Sequence, residues 1–433
     1  MSHSRRRLLV VSYHFPPDGA VGGLRWAGIT QHLQPLGWQS VVLTAAPASK
    51  NGRAPHVSVR RCAPLPTLND LYNRVRFRQQ AAAVQPAGVP TSANGRGPSS
   101  GILNRLRREA SVALAMPDEG RGWILRAARA TRSLIRSWNP DVVVSTGPPH
   151  SAHIATWLAT RGMGVRWITD LRDPWAWPFN KTWELSRMFD VWFVRKTMEV
   201  MERKAILASS TVIANSRWLK EALEEKYGRG KIVWLPNGFD LESIPAKRPE
   251  PFPGLGIAHV GTMYGKRDII PVVHALAEFL ERNPAARSDG TKLRLAGNIE
   301  GTRPADLKRA VQERKLEPYV ELLGVVPRAE ALDILLRSRV CIVLAQGQMV
   351  EIPAKLQEAI GAGIPAVVLA PAGSASVAEA ERIGAIHVDE RQTGGLTEIF
   401  EAVARGELRV PEEQIQRVSY AGIAREFLTV LDA

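Results

Sequence analysis

Asp141-Val142-Val143-Val144-Ser145-Thr146-Gly147-Pro148-Pro149-His150 is a β-branched run that stops at a glycine and two prolines. A run this short and this apolar reads as a strand buried on both faces, not as one face of an amphipathic helix. Helical segments flank it. The same unit recurs upstream, with Leu8–Tyr13 as a strand, Gly22–Leu36 with helical spacing and Ser40–Thr44 as the next strand. Downstream, Val165–Thr169 and Thr211–Ala214 repeat it. Short apolar strands alternating with helices specify a parallel sheet covered on both faces.

A second series starts near residue 255. Its strands are Gly256–Val260, Lys292–Ala296, Val320–Leu323, Val340–Leu344, Ala366–Leu369 and Ala385–Val388, with helices such as Pro304–Arg314 and Arg328–Arg337 between them. The fold class is therefore α/β, with two doubly wound, Rossmann-like domains. Pro245, Pro249, Pro251 and Pro253 cluster where the series break. The spacing gives an N-terminal domain over 1–240, a C-terminal domain over 241–410 and a helical tail over 411–433. A Pro-, Gly-, Ser- and Asn-rich stretch at 86–101 reads as disordered and lies inside a basic insertion, about 60–116.

The chain has 433 residues, of which 45% are hydrophobic and 23% charged, so it is neither a disordered chain nor a small disulfide scaffold. Its two cysteines exclude a disulfide framework and a cysteine-based zinc module, and fit a reducing compartment. No apolar run is long enough for a transmembrane helix, and Leu8–Val11 is too short for a signal-peptide core. The net charge of +15 is unevenly placed. Residues 1–240 carry 34 Lys and Arg against 16 Asp and Glu, whereas 241–433 carry 23 against 26. Between Arg60 and Arg108 nine arginines meet one acid, Asp70. Flanking helices with alternating Arg and apolar residues suit an anionic membrane surface, and equally a solvated cover over a core edge. Nucleic acid is the other partner a positive field suggests, but no helix-turn-helix, zinc-finger or RNA-recognition pattern is present.

Open parallel sheets bind ligands at the carboxyl ends of their strands. At the first such turn Gly22 and Gly23 precede a helix and leave amides to face an anion, with Arg25 one turn on. His150 stands at the start of a helix, placed to bond a sugar hydroxyl or carry a proton. Thr169-Asp170-Leu171-Arg172-Asp173-Pro174-Trp175 brings two carboxylates and an arginine to one loop, where Asp170 and Arg172 could simply pair. Trp175, Trp177, Phe179 and Trp183 offer flat faces for sugar rings, an apolar edge, or ordinary packing. In the second series Gly261-Thr262 is followed by Lys266-Arg267, adjacent cations able to neutralise a diphosphate leaving group. Lys355 and Glu358 sit at i and i+3 on one helix face, as an ion pair or as ligands for a phosphate and a ribose.

These pieces, in this order, resemble the retaining nucleotide-sugar glycosyltransferases of family 4, with the GT-B fold. The matching segments are His14-Phe15-Pro16-Pro17 with Gly22-Gly23, Thr146 to His150, Asp170 to Trp175, Asn215-Ser216, Leu235 to Asp240, Gly261-Thr262 with Lys266-Arg267, and Lys355 to Glu358 with Gly363 and Pro365. The resemblance implies two domains facing a central cleft. The N-terminal one would take a lipid-linked or polysaccharide acceptor through Arg25, Asp170, Arg172 and Trp175. The C-terminal one would take a nucleotide-diphosphate sugar through Gly261, Thr262, Lys355 and Glu358, with Gly22 and Gly23 opposite. His150, Asp173, Lys266 and Arg267 would be catalytic. It implies retention of configuration, no bound metal, no cofactor beyond the sugar nucleotide, and a cytoplasmic enzyme peripheral to the inner face of the membrane.

Two departures stand out. The family's acidic pair has seven residues between its glutamates, which here puts Val350 where the first is expected, with Glu351 beside it. The arginine of its cation pair is replaced by Thr262. An epimerase or hydrolase of the same fold and an inactive homologue are the alternatives.

Overall fold

The computed structural model describes residues 6–16, 21–45, 57–67, 116–176, 192–300 and 303–432. The chain divides into two compact units, one of residues 1–213 with 229–232, the other of 214–228 with 233–433.

The first sheet contains β1 (Arg6–Ser12), β2 (Trp38–Thr44), β3 (Ser58–Arg61), β4 (Val142–Gly147), β5 (Arg166–Leu171), β6 (Thr211–Ala214) and β7 (Ile232–Trp234). Their order is β3-β2-β1-β4-β5-β6-β7. The pairings from β3 to β5 are parallel, with Leu8 opposite both Ser40 and Val142. Odd-numbered β1 and β4 residues, Leu9, Val11 and Val143, pack on Trp123, Ala127, Ile135, Ala152 and Ala155 of the covering helices. Their neighbours Leu8, Val10 and Val144 are equally buried toward the other face. Each such side chain contributes about 1.5–3 kcal/mol by leaving water. The helix Ile124–Trp138 ends because Asn139 turns left-handed, at φ 49°, just before Pro140.

The strands at 142–147 and 166–171 lie where the sequence places them. Two edge elements were not anticipated. β3, Ser-Val-Arg-Arg, is polar and exposed and falls partly in the stretch assigned to the insertion. β7 has only three residues. Residues 68–115, which hold most of the basic insertion, lie outside the described residues. Its two feet are joined. Leu65 N donates to Gly122 O at 2.8 Å, Trp123 Nε1 to Cys62 O at 2.6 Å and Arg121 Nη2 to Thr67 Oγ1 at 3.1 Å.

The second sheet contains β8 (Gly256–Val260), β9 (Lys292–Ala296), β10 (Val320–Gly324), β11 (Val340–Leu344), β12 (Ala366–Ala370) and β13 (Ile386–Asp389), in the order β10-β9-β8-β11-β12-β13 and parallel throughout. Ile342 and Leu344 face the core under helix Ile270–Arg282, whereas Cys341 and Val343 face that under Lys355–Gly361 and Ala375–Ile383. Both sheets therefore reverse strand order beside their first strand, which marks where a ligand crevice opens.

The C-terminal stretch is helical, as two helices, Glu412–Val418 and Tyr420–Asp432. Ser419 breaks them where Phe239 N donates to Val418 O at 2.7 Å and Tyr420 N to Phe239 O at 3.1 Å. Val418 joins the core under Lys355–Gly361, and Ile423, Ala424 and Phe427 are fully buried.

Candidate active site

In the first unit the turn after β1 leads into the helix Val21–Leu33. A Cβ on Gly23 would lie 2.8 Å from the Phe15 backbone, and one on Gly22 would collide with the Arg172 guanidinium. Close approach to backbone therefore requires Gly23, whereas at Gly22 a side chain would have to displace the Arg172 guanidinium. Arg172 also donates to Pro148 O, and its backbone N to Gly147 O at 2.9 Å. A guanidinium and a helix N-terminus converge here, which suits an anion.

Asp170 and Arg172 do not pair. Arg25 takes Asp170 instead, through Nη2 to Oδ1 at 3.2 Å and Nε to Oδ2 at 3.3 Å. Trp26 Nε1 (2.7 Å) and Thr146 Oγ1 (2.8 Å) also donate to Oδ2. Asp170 is 0% exposed and Arg25 1%. Four donor contacts offset the desolvation of this carboxylate, so the pair ties β4, β5 and the first helix together. Asp173 is half-buried beside it.

His150 is buried and stacks on Trp175 at 4.8 Å with planes 9° apart. Trp175 is buried too, and so forms a wall behind His150 rather than an open platform. Trp177, Phe179 and Trp183 lie outside the described residues. Burial holds His150 well below its ordinary value, helped by His153 and Arg172. His153, three residues on, is pushed down to about 3 by burial, against the pull of Asp170. Trp167 Nε1 donates to Ser145 Oγ at 2.9 Å, which leaves the Ser145 proton for His153 Nδ1 at 2.8 Å. Two neutral imidazoles result. Gly147 makes room for them, since its Cβ would lie 2.6 Å from His153 Nε2 and 3.0 Å from His150 Nδ1.

Asp118 fixes this corner. Its carboxylate accepts from Gly120 N at 2.9 Å and Ser151 N at 3.0 Å, and so starts both the 3-10 turn Glu119–Trp123 and the helix Ser151–Thr160. Burial raises its pKa, while the Ser151 and Gly120 bonds oppose the rise. Sequence reasoning passed over both Asp118 and His153. The first was legible as an acid before a glycine turn, the second as the i+3 neighbour of His150.

In the second unit the turn after β8 carries Gly261, Thr262, Lys266 and Arg267. Arg267 is held by Thr262 O (3.0 Å), Gln348 Oε1 (3.2 Å) and the Tyr264 ring (4.2 Å). Lys266 is exposed and makes no ion pair among the described residues; its stem lies over Gly347, whose Cβ would meet its Cδ at 2.5 Å. Gly347 turns at φ +71° and donates to Glu390 Oε2 at 2.7 Å. Of the adjacent cations, then, Arg267 braces the loop and Lys266 is available.

Lys355 and Glu358 form their i,i+3 ion pair, with Arg328 Nη2 4.0 Å from the other Glu358 oxygen. Both remain partly open, at 31% and 16% side-chain exposure. The Glu351 carbonyl accepts from Ser376 Oγ at 2.9 Å, at the start of the helix Ala375–Ile383. Beneath lie buried His259, pushed down to about 4 by burial with the Arg267 and Lys355 charges adding, and Cys341, pushed up to about 12 by burial. Among the described residues no three His, Cys, Asp or Glu converge as a metal site requires.

No curated protein matches the chain. Among solved structures, a sucrose-phosphate synthase from Thermosynechococcus elongatus is 15% identical with a TM-score of 0.57, covering 99% of this chain and 98% of its own. HepE of Anabaena, solved with UDP and glucose, is 14% identical with a TM-score of 0.56, covering 99% of each chain. An α,α-trehalose 6-phosphate synthase from Burkholderia multivorans is 14% identical with a TM-score of 0.56, covering 99% and 97%. These likenesses give the GT-B fold. The family description "Glycosyltransferase Family 4" matches residues 88–243, and "Glycosyl transferases group 1" matches residues 255–405. With these two domains in this order on two parallel-sheet units, the chain is a GT-B glycosyltransferase of the family 4 and group 1 type.

Proposed function

We propose that the chain transfers a sugar, with retention and without a bound metal, from a nucleotide diphosphate to a hydroxyl of a lipid-linked or polysaccharide acceptor at the inner membrane face. The observation that carries the donor half is the division of labour after β8, where Arg267 is braced and Lys266 is exposed with no ion pair among the described residues. A cation held ready in this way stabilises charge that develops on a departing diphosphate without reorganising. Glu358 would exchange Lys355 for a ribose diol, releasing the ammonium toward phosphate. Gly22, Gly23 and Arg172 would meet the anionic donor or acceptor from the first unit's site. His150, a neutral imidazole, would bond a sugar hydroxyl rather than carry charge, with Asp173 beside it. HepE was solved with UDP and with UDP-glucose, which supports a uridine donor as the first to try. The membrane part rests on the basic N-terminal half.

The test is a thermal-shift screen of nucleoside diphosphates and their sugars, with and without EDTA, followed by turnover with the donor found. A ligand at 100 times its Kd stabilises the fold by about 2.7 kcal/mol. We expect one diphosphate and its sugar to raise Tm regardless of EDTA. Lys266→Ala is expected to lower kcat about 10²–10³-fold, and Glu358→Ala to weaken donor binding about 10–100-fold. Free or epimerised sugar formed from donor alone would replace transfer with epimerisation or hydrolysis. Loss of metal-free turnover, or inversion at the anomeric carbon of the product, would remove those parts of the reading.

A further inference from the structure

Three helices cover one face of the first sheet: Ile124–Trp138 packs on Ser151–Thr160, which packs on Trp192–Ala208. Their outer surface is cationic and apolar at once. On the last helix Trp192, Lys196, Val200, Lys204 and Leu207 recur at three- and four-residue spacing and so share one side. Trp192 is 66% exposed, Val200 49% and Leu207 53%, which is unusual for large apolar groups standing together. Between this helix and Ser151–Thr160 runs a groove of about 400 Å³, walled by Ile154, Trp157, Val200 and Met201 with Lys196 and Lys204 at its rim. Arg161 and Lys204 both lie over the Trp157 ring, at 5.1 and 5.4 Å. The acids of this helix are spoken for: Glu199 pairs with Lys196 at 2.8 Å, and buried Glu202 accepts from Ala176 N at 2.8 Å. Arg129, Arg136, Arg161, Arg203 and Lys204 face outward with no carboxylate partner among the described residues.

We propose that this helical face docks on an anionic phospholipid surface, with the groove taking apolar lipid and Arg161, Lys204 and Arg203 meeting the phosphates. The inference rests on the membrane reading above, but moves the contact from the insertion to the folded core of the first unit. Charge complementarity selects the occupant. A polyanion such as nucleic acid would use the cations alone, whereas a surface that interleaves Trp192, Val200 and Leu207 with cations matches an amphiphile, with its tryptophan at the polar–apolar boundary.

The experiment is flotation of the full chain with phosphatidylcholine vesicles and with vesicles containing 30% phosphatidylglycerol. The variants are Arg203→Glu/Lys204→Glu, Val200→Ser/Leu207→Ser, and Arg105→Gln/Arg107→Gln/Arg108→Gln in the insertion. All of the substituted core-unit side chains are exposed or stand at a groove rim, and thermal melts confirm that each variant is folded. Each cation near the surface is worth about fivefold in binding. We expect binding to the anionic vesicles to fall at least 25-fold in the charge-reversal variant and about tenfold in the serine variant, with the insertion variant weakened less than either. Wild-type binding that both core-unit variants retain, while the insertion variant loses it, overturns this surface but keeps the membrane reading. Loss on charge reversal with no effect of the serine pair also overturns it, in favour of a polyanion contact. Absence of wild-type binding to either vesicle overturns both.

Discussion

Asp170 with Arg25 in the first unit, and Glu358 with Lys355 in the second, are carboxylate–cation pairs at or just past the carboxyl ends of parallel strands. The first pair is sealed, at 0% and 2% side-chain exposure, and its carboxylate is bonded further by Trp26 and Thr146. The second stands partly in solvent at 16% and 31%. A sealed pair has paid its desolvation during folding and has no exchange partner. An open pair gives up little when a ligand displaces one member. The same chemical motif is architecture in one unit and a site in the other, and burial decides which.

Three experiments bear on that contrast. The largest effect belongs to Asp170→Ala, which takes from buried Arg25 the carboxylate that its Nε and Nη2 both donate to. We expect a loss of about 3–5 kcal/mol, read as a drop in the denaturation midpoint or as insoluble protein. A variant folded as stably as wild type would show that the sealed pair is not architectural.

Acid comes next. His150, His153 and His259 are all held low by burial. Unfolded, each binds a proton below about pH 6.5, and folded it does not. Their contribution is therefore complete above pH 6.5 and is lost as pH falls, levelling near 3 for His153 and near 4 for His259. Each costs about 1.4 kcal/mol per pH unit in that window. The first unit holds two of the three, so its urea midpoint should fall more than that of the second between pH 6 and 5. His153→Gln should flatten its slope; an unchanged slope would remove the buried imidazole as the cause.

The smallest effect on the fold belongs to Lys355→Met. With a partly exposed pair we expect under about 1 kcal/mol of lost stability, together with about tenfold weaker diphosphate binding. A stability loss as large as that of Asp170→Ala would erase the distinction between the two pairs.

Much of this was legible in the sequence, and what was not had physical causes. Val142–Gly147 announces itself because a strand buried on both faces has nothing polar to dilute it. β3 does not, because an edge strand in water reads Ser-Val-Arg-Arg. The Lys355–Glu358 pair follows from helical spacing alone. The partner of Asp170 does not, since Arg25 is 145 residues away and only the packing of the first helix on the sheet brings them together. Gly22 and Gly23 were visible as glycines, but what they make room for, the Arg172 guanidinium and the Phe15 backbone, is a tertiary fact. His150 was noticed for its place after a strand, while His153 was missed although its spacing was in plain view.

The joined feet of the insertion, where Leu65, Cys62 and Thr67 meet Gly122, Trp123 and Arg121, have a consequence in polymer terms. Once the ends of a segment are clamped by the fold, its length enters stability only through closure entropy, and a doubling costs about 0.6 kcal/mol. Selection is then free to lengthen, shorten or recharge residues 68–115 at little thermodynamic cost, while the two parallel-sheet units stay constant.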